Sequence, residues 1–171
     1  RIVFLAIILA IGSAKLFSQV ELGEKVPGFK TKDHTGAEWD LKKNLDSEYL
    51  VLYFYPAAFT GGCTKQACSL RDANEDFDWH GIQVVGVSTQ DRHSHARFAE
   101  AHDIPYSLVE DPTRSISREF GVLGLLGTAK RTTFLIDPEG QIRSVIRSFN
   151  PNAHSAPNVL GELRRLGALK D

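Results

Sequence analysis

Methionine is absent from these 171 residues, and cysteine occurs only twice. Two cysteines exclude a disulfide-built scaffold, which needs several spread along a small chain. Neither sign of charge is in excess: 20 basic residues stand against 21 acidic ones, a net charge of −1. With no basic run either, the balance excludes an electrostatic grip on nucleic acid. No apolar stretch reaches the roughly 20 residues a membrane-spanning helix needs. Internal repeats, low-complexity segments and a second-domain linker are lacking too. The chain reads as one domain of ordinary globular composition, long enough to bury a core.

The first residues depart from that ordinariness. Arg1 is followed by the apolar run Ile2–Ile11 and then by Gly12, Ser13 and Ala14. A basic residue, an apolar run and small residues form a secretory-signal pattern. As a helix, residues 2–14 would span about 20 Å, short of the roughly 30 Å hydrocarbon core. The expectation is a leader over residues 1–20, either cleaved or kept as a membrane anchor through residues 2–14, ahead of one domain over 21–171. It places the protein outside the cytosol, periplasmic or anchored on the extracytoplasmic side; without a working leader it would be cytoplasmic.

Beyond the leader, residues 29–39 read as a hairpin turning at His34-Thr-Gly36. The aromatic-rich run Tyr49–Tyr55 reads as a strand buried on both faces and stopped by Pro56. From Thr60 onward Ala67, Leu70, Asn74 and Phe77 recur at helical spacing, predicting one amphipathic helix. A second buried strand spans Ile82–Ser88, and a helix spans Asp91–His102 with Ala96, Phe98 and Ala99 inward. A short strand at Tyr106–Val109 and a helix at Ser115–Phe120 follow. Then come a hairpin, Thr132–Ile136 and Gln141–Ile146 joined by Asp137-Pro-Glu-Gly140, and a helix over Ala156–Leu169. This alternation predicts an α/β domain of three layers, a mixed central sheet flanked by helices with an N-terminal hairpin extension. The thioredoxin-like architecture fits best.

Both cysteines lie at the first strand-to-helix turn, in Pro56-Ala-Ala-Phe-Thr60-Gly-Gly-Cys63-Thr-Lys-Gln-Ala-Cys68. Unpaired N–H groups and the helix dipole favour negative charge at a helix start, hence a thiolate at Cys63. Thr60 is placed to cap that helix, with its hydroxyl aimed into the same small volume. Gly61 and Gly62 would let backbone approach a ligand. The plain alternative for either cysteine is a small buried core residue. Five residues of ideal helix separate Cα atoms by roughly 8.7 Å. A disulfide spans at most about 7 Å. The two thiols therefore cannot bond while the helix is intact.

These residues resemble a known family. Pro56-x-x-x-Thr60-x-x-Cys63 resembles the peroxiredoxin active-site motif, and Cys63-Thr-x-Gln-Ala-Cys68-x-Leu-Arg71-Asp72 resembles the peroxiredoxin Q, or bacterioferritin comigratory protein, group. Gly86-Val-Ser88, Ser94-His95-x-x-Phe98, Phe120-Gly-Val122 and Arg131-x-Thr-Phe-Leu-Ile-Asp137 extend the likeness from about Gly23 to Leu169. The resemblance implies a thiol peroxidase without metal or organic cofactor, acting on hydrogen peroxide and organic hydroperoxides. Cys63 would attack the O–O bond and become a sulfenic acid. Cys68 would resolve it to an intramolecular disulfide, reopened by thioredoxin or a similar dithiol reductant. Arg131 would stabilise the thiolate and, with Thr60, hold the peroxide, while Pro56 would shield the sulfur. It also implies a monomer. The sequence departs from the pattern at Gly61, where the group has proline, and at Gln90, where an acidic residue is common. It departs again at 123–130, which is shorter and more apolar.

Two rival readings share the fold. A thiol-disulfide oxidoreductase of thioredoxin type would want Cys-x-x-Cys and a proline before the facing strand, which here begins Arg131-Thr-Thr133. A copper-binding chaperone needs cysteines four apart and a distal histidine. His154 could serve, although it reads as a surface-loop residue. Of His93, His95 and His102, only His95 and His102 share a helix face, so no metal site is expected there.

Overall fold

The computed structural model describes residues 19–170. The expected leader falls almost wholly outside the described residues. Among them, no helix is long and apolar enough to cross a membrane.

The elements run β1 (Lys30–Lys32), β2 (Glu38–Asp40), β3 (Tyr49–Phe54), α1 (Gly61–Asp72), α2 (Asn74–Trp79), β4 (Ile82–Ser88), α3 (Arg92–Ala101), β5 (Ser107–Glu110), α4 (Ser115–Glu119), β6 (Thr132–Ile136), β7 (Ile142–Arg147) and α5 (Ala156–Arg165). The central sheet has the order β5-β4-β3-β6-β7, and β1 and β2 pair separately as the N-terminal hairpin. β3 and β4 are parallel, as are β4 and β5, while β6 runs antiparallel to both β3 and β7. This is the mixed, three-layer, thioredoxin-like arrangement expected from the alternation of elements.

The period of two along β3 divides the core. Val51 and Tyr53, with Tyr55 beyond the strand, face α1, α2, α3 and α5, where they meet Ala67, Leu70, Phe77, Phe98, Val159 and Leu163. Leu50, Leu52 and Phe54 face the other way, toward Phe120 at the end of α4 and the hairpin residue Trp39. A strand covered on both sides needs apolar residues at every position, which explains the unbroken run.

Two expectations need correction. The helix beginning after Thr60 is not continuous: it stops at Asp72, and Ala73 (φ −103°, ψ 11°) separates α1 from α2. Asn74 donates from its side-chain amide to Asp78 at 2.9 Å. The spacing of Leu70 and Phe77 carries across the break, so the periodicity conceals it. In α3 the inward residues are His95, Phe98 and Ala99, with Ala96 only half-buried. His95 is drawn in by Ser88, whose Oγ lies 2.7 Å from its Nε2. Burial pushes its pKa down to about 4, so the ring is neutral.

Gly86 of β4 lies where neighbouring side chains leave no room for a Cβ. A Cβ there would lie 2.7 Å from both the Tyr53 ring and Leu108. Tyr53 Oη pairs with Tyr106 Oη at 3.2 Å, and Tyr106 donates onward to the Ala67 carbonyl of α1 at 3.0 Å. Burial raises the pKa of both phenols, so both stay protonated as this chain requires. Gly86→Ala is expected to destabilise the fold by about 1–3 kcal/mol through overpacking. The melting temperature should fall by roughly 2–12 °C. An unchanged thermal melt would show that the sheet absorbs the methyl freely.

Candidate active site

β3 ends at Phe54, and the chain turns through Pro56–Thr60 before α1 begins. Pro56 is half-buried at the strand end. The turn is held from outside, since the Ala58 N–H donates to Gln90 Oε1 at 2.6 Å. Phe59 adopts the left-handed conformation (φ 62°), unusual for a bulky residue, and sets its ring edge-on to Phe98 at 5.3 Å. Thr60 follows as the N-cap, with φ −82° and ψ 145°.

Thr60 caps only with its backbone: its carbonyl accepts from Thr64 N at 2.9 Å. Its hydroxyl makes no capping bond and donates instead to the Ala57 carbonyl at 3.1 Å. That bond leaves the oxygen's lone pairs available and corrects the expectation of a side-chain cap.

Cys63 is the third residue of α1 and only 2% exposed. No acidic side chain stands in that first turn to compete for its N–H groups. Arg131, immediately before β6, reaches the sulfur: Nη2 donates to Cys63 Sγ at 3.3 Å. The other fork nitrogen, Nη1, donates to Gln66 Oε1. Gln66 is buried one turn along α1 from Cys63, on the same face. A planar guanidinium held at two points presents its donors in a fixed direction, which a lysine could not do.

The two glycines separate in role. A Cβ at Gly62 would lie 3.1 Å from Arg131 Nη2 and 3.5 Å from the Pro151 ring, so the absent side chain makes room for the guanidinium. Nothing lies within 4 Å of a Cβ at Gly61. Packing therefore makes no demand for glycine there.

Cys68 is half-buried on the same helix, and both cysteines are free. The intact α1 keeps the thiols apart, as the spacing requires. The structure thus brings Cys63 and Arg131 into contact, sets Thr60 at the head of the same helix and Pro56 at the preceding strand end, and holds Cys68 at a distance.

Sequence reasoning missed three participants. Gln66 lay within the matched motif without an assigned role. Gln90 departs from the family pattern, but its partner Ala58 is 32 residues away. His154 is the clearest correction. It is not a surface-loop residue but fully buried, with Nδ1 2.8 Å from Thr133 Oγ1 and Nε2 3.0 Å from the Ser148 carbonyl. The 123–130 segment closes on itself through a Leu123–Ala129 bridge and leaves Leu125 and Leu126 exposed.

Known proteins share the family and the fold. Residues 22–145 match the AhpC/TSA family. Peroxiredoxin Q of Populus jackii chloroplasts is 39% identical over 142 residues, 81% of this chain and 66% of that protein. The chain thus spans about two thirds of that plant relative's length. The crystal structure of peroxidoxin BcpB from Mycobacterium tuberculosis superposes with a TM-score of 0.81 at 39% identity, covering 86% of this chain and 99% of that one. The Xanthomonas campestris bacterioferritin comigratory protein, described in terms of alkyl peroxide reduction, superposes at 0.74 with 28% identity, covering 81% and 91%.

Proposed function

From the premise that the chain belongs to the AhpC/TSA family, we propose that it is a peroxiredoxin-type thiol peroxidase using Cys63 and Cys68. The observation that carries this reading is the Arg131 fork donating to a buried sulfur at the start of α1.

In the first step the Cys63 thiolate attacks one oxygen of ROOH. The O–O bond breaks, the sulfur becomes Cys63–SOH, and the leaving alkoxide takes a proton to give ROH. Arg131 holds the thiolate by a charge-assisted contact. The same guanidinium stabilises the charge that develops on the departing oxygen. The Thr60 hydroxyl, its proton engaged by Ala57, accepts a hydrogen bond from the peroxide O–H. Pro56 screens the sulfur from water. In the second step α1 opens, the Cys68 sulfur displaces hydroxide from Cys63–SOH, and a disulfide and water form. A thioredoxin-type dithiol then reduces the disulfide and is itself oxidised.

Hydrogen peroxide and organic hydroperoxides are the proposed substrates. The alkyl peroxide reduction ascribed to the Xanthomonas relative supports the second class. The reading also takes a monomer, with export directed by the Arg1–Ile11 pattern. Neither rival gains support from the site. A guanidinium 3.3 Å from Sγ opposes a second cation there, which disfavours copper. The neighbouring Cys-x-x-Cys of an oxidoreductase is absent from the sequence.

The test is peroxide-dependent oxidation of a thioredoxin couple. The intact protein should turn over continuously, whereas Cys68→Ser should consume about one or two equivalents and stall as the sulfenic or sulfinic acid. Sustained turnover by Cys68→Ser would remove Cys68 from the cycle.

A further inference from the structure

The stretch from Ser148 to Ala156 crosses α1 and is fastened to it just outside each cysteine. At one end Pro151 packs on Gly62, the residue before Cys63, with its ring 3.5 Å from where a Cβ would stand. At the other end the Ala156 N–H donates to Ser69 Oγ at 3.0 Å, and Ser69 follows Cys68. Any opening of α1 between the cysteines works against both anchors.

His154 sits between them, buried and bonded through both ring nitrogens. Ser148 offers a carbonyl, which only accepts, so Nε2 carries the proton and Nδ1 accepts from the Thr133 hydroxyl. Thr133 lies on β6, two residues beyond Arg131. The ring therefore ties the crossing segment to the strand that delivers the guanidinium. Burial, reinforced by the Arg131 charge, lowers its pKa to about 4, so it remains neutral around pH 7. Both nitrogens are occupied by protein groups, which suits a mechanical role and not proton transfer to substrate.

We propose that His154 is a positioning residue that pins this strap across α1 and so sets how long the Cys63 sulfenic acid stays apart from Cys68. The inference rests on the thiol peroxidase reading. The sulfenic acid has two fates. If α1 opens, Cys63–SOH and the Cys68 thiol condense to a disulfide and release water. If α1 stays closed, a second ROOH oxidises Cys63–SOH to Cys63–SO₂H and leaves as ROH. A firmly pinned strap favours the second fate at high peroxide, and a loosened one favours the disulfide.

The experiment pulses reduced protein with increasing hydrogen peroxide and resolves disulfide and sulfinic forms by intact mass. Amide exchange over residues 62–70 is followed in parallel. His154→Gln keeps a donor near the Nε2 position for Ser148 but has no acceptor at the Nδ1 position that faces Thr133, while Ser69→Ala removes the other anchor without touching the imidazole. Each should raise the disulfide-to-sulfinic ratio, by roughly fivefold to tenfold for the loss of one neutral hydrogen bond. Exchange over 62–70 should quicken in step. A purely structural role would lower the melting temperature and leave the ratio unmoved. That result would overturn the inference, and Ser69→Ala alone decides it if His154→Gln fails to fold. Wild-type protein whose Cys63 resists peroxide would sink the peroxidase reading instead, before any variant is compared.

Discussion

Cys63→Ser is expected to lose peroxide turnover entirely while keeping its fold. Oxygen replaces sulfur at a buried position of nearly the same shape, so packing around the first turn of α1 changes little. The Arg131 donor still finds an acceptor. What disappears is the chemistry. An unactivated hydroxyl is a weak nucleophile near neutral pH, whereas sulfur is the more polarisable and intrinsically stronger nucleophile. Coupled peroxidase assays should read the uncatalysed background, with a thermal melt close to that of the parent. Turnover clearly above background in a folded Cys63→Ser protein would refute the thiol mechanism.

Arg131→Gln should slow the oxidation of Cys63 by a factor on the order of 10²–10³, the usual loss when a preorganised donor to a developing oxyanion is removed. Glutamine retains hydrogen-bonding capacity but neither the charge nor the fork. Arg131→Lys restores the charge alone, so it should recover only part of the rate. Stability should also fall, because Gln66 Oε1 loses its partner inside α1, at a cost of about 1–3 kcal/mol. Single-turnover oxidation and iodoacetamide alkylation of Cys63 at neutral pH should slow together. Oxidation at the parental rate in Arg131→Gln would mean that the helix start activates the sulfur without help.

The central strands were legible because nothing else explains Tyr49–Tyr55 and Ile82–Ser88, two long apolar runs with a stop or a polar end. Cys63 was legible from its place behind Thr60 at a strand-to-helix turn, which is local chemistry. Arg131 was not: an arginine before a strand is ordinary, and only the likeness to a family singled it out. Its contact with Cys63, 68 residues away in sequence, depends on the pairing of β3 with β6. His154 defeated local reasoning for a similar cause. Its neighbours Pro151, Asn152 and Ser155 are turn formers, and the burial comes from Thr133, which pattern reading cannot reach. The break at Ala73 was hidden by periodicity that continues across it.

The antiparallel pairing of β3 with β6 places Phe54 opposite Thr132, so Arg131 stands one step outside the ladder, level with the chain that leads to α1. A slip of a single residue would exchange the two faces of β6 and carry the side chains leading into it to the wrong side. Residues 49–54 and 132–136 hold that register through their paired backbones and the aromatic contact between Phe54 and Phe134. The hairpin at 123–130 closes by its own Leu123–Ala129 bridge before Arg131 is reached. It is a cassette clipped in upstream of the ladder. Its length and its exposed leucines are free to change while the arginine keeps its address on the sulfur.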